Sequence, residues 1–320
     1  MTSQPFGTAE LQAAAAAGIR APSLHNSQPW QFRLREGAIE VLADPRDHLA
    51  MVGRSGWAVR IACGAATFNA RLALLANGTP ADVRLRPDPA DPLVMAVLRP
   101  GRPRAATYTE RDLFTAIDRR RSNREPFWPD PVPADIRTRL VDAAHAEGAW
   151  LELLIGMTAL SGFAQIAQSA DRVLRREPAY QQRLSEWIRT EAAGDGVPVL
   201  AAARLAEPQD LLPQRAYGDR PRAPGRDFEP EPLIAILGST GDTATDQINA
   251  GQALQRVLLT ATDGGLATSM ISQPIEVTGA REQLSRSLGG RVGTPQMAVR
   301  IGYGQPGSPT PRRDLAQVIV

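Results

Sequence analysis

The spacing of apolar residues changes period along the chain, and each change marks an element. Residues 11–19 are an Ala-rich run, and Ala is the strongest helix former, so a helix is predicted there. Residues 31–35 and 39–43 flank Glu36-Gly37 and read as two strands, in a hairpin or as near neighbours. Residues 57–76 form a long apolar helix that stops at Asn77-Gly78, a usual C-terminal signal. Strands are predicted over 82–86 and 93–98. Further on, a helix runs from about Thr109 into the arginines near 120, and others cover 134–147, 158–176, 180–189, 246–262 and 279–288. Strands are predicted over 150–155, 233–238, 296–301 and 316–320. The stretch 191–232 carries too many Gly and Pro for a long helix or strand. It also carries Val197, Val199, Leu200, Leu205, Leu211, Leu212 and Tyr217, which a disordered tail would lack. A long loop with apolar residues of its own needs a surface to rest on, and it reads as a lid.

Two polar stretches interrupt this pattern. The first is Ala21-Pro22-Ser23-Leu24-His25-Asn26-Ser27-Gln28-Pro29-Trp30. Pro22 and Pro29 push Ala21 and Gln28 out of the helical region and hold the loop between them. Its Ser, His, Asn and Gln side chains offer donors and acceptors, suited to a flat, heteroatom-rich ring or simply to capping a helix. The second is Arg119-Arg120-Arg121-Ser122-Asn123-Arg124. Arginines at a helix end complement its dipole. Three in a row, then Ser and a fourth Arg, exceed that need and suit a phosphate, which guanidinium groups bind as a fork.

Composition narrows the function. With 43% hydrophobic and 22% charged residues in 320, the chain is ordinary for a globular protein. The net charge is +2, and all 36 basic residues are Arg, spread along the chain. No nucleic-acid partner is therefore expected. No run of 18 apolar residues exists and the start of the chain lacks a leader-like pattern, so neither a membrane span nor a signal peptide is expected. Cys63 is the only cysteine, which excludes an internal disulfide and fits a cytoplasmic protein; it reads as a small core residue. Three His and one Cys have no metal-ligand spacing, so no metal is expected. Gly302-Tyr303-Gly304-Gln305-Pro306-Gly307 matches a dinucleotide fingerprint formally, but the prolines after it forbid the helix that fingerprint needs.

Pro-Ser-x-x-Asn-x-Gln-Pro-Trp and Arg-Arg-Ser-x-Arg-x-x-Phe together resemble the two flavin-binding motifs of the FMN-dependent nitroreductase superfamily. Gly264-Gly265-Leu266-Ala267-Thr268, the strand into Gly302-Tyr303-Gly304, and Pro311-Arg312-Arg313 follow in the matching order. The resemblance implies an α+β nitroreductase-like fold and one FMN. By it, Arg120, Ser122, Arg124, Arg312 and Arg313 meet the phosphate and ribityl chain. Pro22, Ser23, Leu24, Asn26 and Gln28 line the ring. Met270, Ile271, Ser272 and Gln273 face flavin N5, with Arg124 and Ser272 as groups that tune the ring. His25 then reads as loop polarity beside the flavin, since hydride chemistry needs no protein nucleophile.

The chain also repeats weakly. Cys63-Gly64-Ala65-Ala66 matches Ala250-Gly251-Gln252-Ala253, and the helix at 11–19 matches 140–147. The first copy keeps the polar loop and the second keeps the arginines. This is similar to the tandem, single-chain Acg-like members of actinobacteria, in which a lid covers the flavin. The expectation is a fused dimer, residues 1–107 and 108–320, with one composite site and a lid at about 191–232. It would be a monomer or would pair further as a homodimer. The implied activity is hydride transfer from NAD(P)H through flavin N5 to an electron-poor small molecule. FMN storage and a biosynthetic flavin dehydrogenase or oxidase are the alternatives.

Overall fold

The computed structural model describes residues 4–47, 55–86, 88, 90–190, 193–202, 210–215, 217, 231–289 and 293–320. Helix α1 (Thr8–Gly18) starts at Gly7, whose backbone N–H donates to Glu10 Oε2 at 2.9 Å, and it ends before Pro22. Strands β1 (Trp30–Arg35) and β2 (Ala38–Ala43) form the hairpin, with Trp30 opposite Ala43 and Arg35 opposite Ala38. Both turn residues, Glu36 and Gly37, have positive φ (51° and 71°), the twist that two-residue hairpins require. Helix α2 (Ser55–Ala76) leads to β3 (Ala81–Leu85) and β4 (Val94–Pro100).

Helix α3 (Tyr108–Arg119) is capped by Thr107 and Glu110. Then come α4 (Ala134–His145), β5 (Trp150–Leu154), α5 (Met157–Arg176) and α6 (Pro178–Ser185). The two-residue strands β6 (Ile188–Arg189) and β7 (Val197–Pro198) pair in parallel. After them lie β8 (Leu233–Ser239), α7 (Ala244–Asp263), β9 (Ala267–Ile271), α8 (Gln273–Glu276), α9 (Thr278–Ser287), β10 (Thr294–Gly302) and α10 (Leu315–Val318).

Two four-stranded antiparallel sheets result, in the orders β1-β2-β4-β3 and β5-β8-β10-β9. Counted within each sheet, both read first, second, fourth, third. The fold is thus α+β, each sheet backed by a long helix. Those helices, α2 and α7, meet at Gly64 and Gly251, where a Cβ on Gly64 would lie 1.9 Å from Ile248 O and one on Gly251 2.2 Å from Ile61 O. So close an approach lets the cores interlock. Trp57 and Ile61 of α2 join the core under the second sheet, while Ile248 of α7 and Val318 of α10 join the core under the first.

Three elements differ from the sequence pattern. Residues 315–318 form a helical turn, because Asp314 and Gln317 cap it reciprocally; only Ile319 bridges to Phe32. The helix expected over 180–189 ends at Ser185, and the chain then turns to pair Ile188 with Val197. Strand β9 was hidden by its mixed polarity, Ala-Thr-Ser-Met-Ile. The segment Gly56–Ala76 is, by length and composition, apolar enough to cross a membrane, but 83% of its apolar window is buried, as in a core helix. Of the apolar residues in the insert, Val197 and Tyr217 pack with Leu174, Tyr180 and Leu184 of α5 and α6, whereas Leu205 lies outside the described residues.

Replacing Gly64 by Ala should cost at least about 1–3 kcal/mol, the range for forcing extra volume into a packed core. The neighbour that must move is helix backbone, which has no rotamer to yield. Urea unfolding should show a lowered midpoint for G64A, and an equal lowering for G251A.

Candidate functional site

The helix-ending Pro22 turns the chain into a short loop whose geometry is demanding. His25, Asn26 and Gln28 have φ of 56°, 57° and 53°, a region L-residues enter rarely and Asn and His most readily. Ser23 Oγ fixes the turn by accepting from the Gln28 N–H at 2.9 Å. On the other side, β9 aligns the second polar stretch. Ser122 bridges to Thr268, and the Asn123 N–H donates to Thr268 O at 2.8 Å. Arg300, buried on β10, donates to the carbonyls of Asn123 (3.0 Å) and Glu125 (2.9 Å), with its guanidinium 3.9 Å from the Phe127 ring centre.

Between these parts lies a cavity of about 910 Å³, counted to its open mouth. Pro22, Ser23, Leu24, Arg124, Met270, Ile271, Ser272 and Gln273 all line it, with Trp57, Ala58 and Ile61 from α2. Leu212, Pro213, Gln214, Arg215 and Tyr217 of the 191–232 stretch complete the wall. Among the described residues the lining contains no Asp or Glu.

Asn26 and Gln28 do not line the cavity. They fasten the loop to other segments. Asn26 Nδ2 donates to Gly196 O (2.9 Å) and Pro311 O (3.0 Å), while its Oδ1 accepts from Arg312 (2.9 Å). Gln28 is fully buried, donates to Gly194 O (2.8 Å) and accepts from the Arg313 N–H (2.9 Å). Arg313 pairs with Asp195 (3.1 Å) and lies 3.5 Å from Asp44.

Arg120 and Arg312 belong to a separate cationic group beside Pro22. Both donate to Arg20 O, at 3.2 and 3.5 Å, and Arg312 also donates to Ala21 O at 3.3 Å. Arg120 Nε and Nη1 and Arg312 Nε are buried without a hydrogen-bond partner among the described residues. Burial, then the neighbouring Arg121, pulls the Arg120 pKa down to about 10. Burial, then Arg120, Arg20 and Arg121, pulls that of Arg312 down to about 9. Two desolvated cations repel each other here with donors to spare.

The opposite wall carries Arg215, whose guanidinium donates to Glu276, to Ser272 Oγ at 2.8 Å and to the Tyr180 hydroxyl at 2.5 Å. Burial opposes its charge, but Glu276, Tyr217 and Tyr180 together outweigh burial and raise its pKa. Tyr217 faces two predicted groups: its hydroxyl is 2.9 Å from His25 Nδ1, and its ring lies 5.1 Å below the Arg124 guanidinium. Burial, then Arg215, Arg124 and Arg183, depresses the His25 pKa well below the usual 6.5, so the imidazole is neutral. Trp57, Gln214, Arg215 and Arg300 escaped sequence reasoning. The apolar residues of the insert were its one legible signal, and they marked Tyr217 and Leu212.

The nitroreductase family profile matches residues 117–303. A Mycobacterium tuberculosis protein provisionally named an NAD(P)H nitroreductase is 31% identical over 312 residues, covering 94% of this chain and 88% of its own. Acg of the same organism, provisionally named likewise, is 28% identical over 317 residues, covering 96% and 94%. An FMN-dependent nitroreductase of Mycobacterium smegmatis, solved in complex with NADPH, aligns over 65% of this chain and 96% of its own, at 19% identity and a TM-score of 0.41.

A neutral, half-buried His25 makes stability depend on pH. The unfolded chain takes up a proton below about pH 6.5 and the folded chain does not. The contribution is therefore present above 6.5 and lost as pH falls toward the depressed folded value, at up to about 1.4 kcal/mol per pH unit. His25→Asn, which tolerates the same φ, should remove this slope from the unfolding free energy between pH 6.5 and 5, measured against wild type in urea.

Proposed function

The chain belongs to the nitroreductase family, and we propose that it is an FMN-dependent NAD(P)H oxidoreductase acting on an electron-poor small molecule. One observation carries the reading. Among the described residues, buried guanidinium donors of Arg120 and Arg312 lack partners next to Pro22, which lines a cavity with no acid in its described lining. A dianionic phosphate satisfies such donors and offsets the burial and the repulsion that lower both pKa values. Arg120, Arg312 and Ser122 would hold the phosphate; Pro22, Ser23, Leu24 and Met270–Gln273 would flank the ring. Arg124 would set a positive charge against the edge that becomes anionic on reduction. Arg313 contributes indirectly, by fixing Gln28 and the C-terminal tail. Bound FMN supplies the hydride chemistry.

The same reading makes the chain a fused dimer divided at 107/108, with one cytoplasmic site per chain. Support comes from the matching strand orders and from α2 and α7 meeting at equivalent glycines. In this arrangement Glu147 occupies the place in the second copy that the polar loop holds in the first. It is paired there with Arg71 and Arg256. A storage role with little turnover draws support from a different observation: Leu212–Arg215 and Tyr217 wall the cavity and are clasped to Glu276 and His25.

Acid release should yield one FMN per chain; two, or FAD, would reject the composite site. Arg120→Ala with Arg312→Ala should lose most of the flavin while the protein stays folded, each contact being worth about 1.5–3 kcal/mol. A double variant that purifies fully yellow removes the phosphate assignment.

Turnover and storage separate in anaerobic stopped flow. If the insert restricts access, Tyr217→Ala should bleach faster with NADPH than wild type at equal flavin loading. Equal rates would count against the storage reading.

A further inference from the structure

Native interiors leave few polar atoms unpaired, because a donor or acceptor buried without a partner forfeits its hydration. Among the described residues such atoms are few, and two belong to residues of the same cavity wall: Trp57 Nε1 and Gln214 Oε1. They come from unconnected parts of the chain. Trp57 lies in the first turn of α2, only 6% exposed, and its indole can only donate. Gln214 lies in the 191–232 stretch. Its backbone carbonyl accepts from Arg175 Nη2 at 3.1 Å, which leaves the carboxamide oxygen as the acceptor in need of a partner. The cavity wall mixes apolar residues, Ala58, Ile61, Met270 and Ile271, with polar ones such as Arg215 and Ser272, and among the described residues none of them partners either atom.

We infer that Trp57 and Gln214 form a reader for a planar amide edge, a carbonyl beside an N–H, on a ring bound in this cavity. The indole N–H donates to the ligand carbonyl, and the Gln214 oxygen accepts from the ligand N–H. One donor and one acceptor on the same cavity discriminate strongly, since a ligand lacking either group leaves a buried protein atom unpaired. Two molecules that the proposed function brings to the site carry this edge: the pyrimidine rim of a flavin and the carboxamide of a nicotinamide. The inference rests on that function for the ring, and on the two orphaned atoms for the contact.

The test uses Trp57→Phe and Gln214→Leu, each close in shape and lacking the polar atom. FMN binding to apoprotein is read by quenching of flavin fluorescence, with 3-methyl-FMN, which has no N3–H, in parallel. Oxidised NADP binding is read on flavin-loaded protein. If the edge is the flavin's, both variants weaken FMN about tenfold, and Gln214→Leu no longer discriminates against 3-methyl-FMN. If it is the nicotinamide's, FMN affinity is unchanged and NADP affinity falls about tenfold in both. Equal affinities for both ligands in wild type and variants overturn the inference and leave the proposed function standing. Wild-type protein that takes up neither ligand overturns both. Gln214→Leu alters a loop residue, so it decides the matter even if Trp57→Phe fails to fold.

Discussion

The approach of α2 to α7 at Gly64 and Gly251 is the constraint on which the rest depends. Backbones can come this near only where neither helix carries a side chain, and the contact lets each helix serve the other sheet's core. Trp57 and Ile61 cross into the second core because α2 is held there. The same placement lets the first turns of α2 and the end of β9 line one cavity. A wider spacing would separate the polar loop at 22–28 from the arginine stretch at 120–124. The site would then lose either its loop wall or its cationic one.

Charge is distributed in two contrasting ways around that cavity. Arg215 and Arg313 are matched with carboxylates, Glu276 for one and Asp195 for the other, so their charge holds segments together. Arg120 and Arg312 instead meet backbone carbonyls, the Asn26 amide oxygen, the Thr310 hydroxyl and other arginines, with no carboxylate paired to either among the described residues. The second arrangement is expensive in an empty protein and becomes favourable when an anion arrives. Arginine is suited to both uses, since it stays charged when buried and its donors point in fixed directions.

The loop between Pro22 and Pro29 has a divided task that its composition did not reveal. Pro22, Ser23, Leu24 and His25 face the cavity. Asn26 and Gln28 turn away and tie Gly194, Gly196, Pro311 and Arg313 to the loop. Left-handed backbone at His25, Asn26 and Gln28 reverses the side-chain directions within a few residues. Period arguments fail for such a segment, because alternation of faces holds only in regular structure.

Local rules in the sequence determined most of the elements. Ala content, the Glu36-Gly37 turn, Asn77-Gly78 and the capping residues act over a few positions, so residues 11–19, 31–43 and 57–76 were legible without neighbours. The two polar stretches were legible for the same reason: proline and clustered arginine carry their chemistry wherever the chain puts them. The family resemblance, read from those stretches in order, led to the α+β architecture. Tertiary structure decided the remainder. Mixed polarity hid β9, which exists because β10 offers it an edge. The turn at 315–318 replaced an apolar strand because Asp314 caps it above the first core. Trp57, Gln214, Arg215 and Arg300 became site residues only through contacts between segments far apart in sequence. No local pattern records which buried atoms are left unpaired, because that depends on every segment that packs around them.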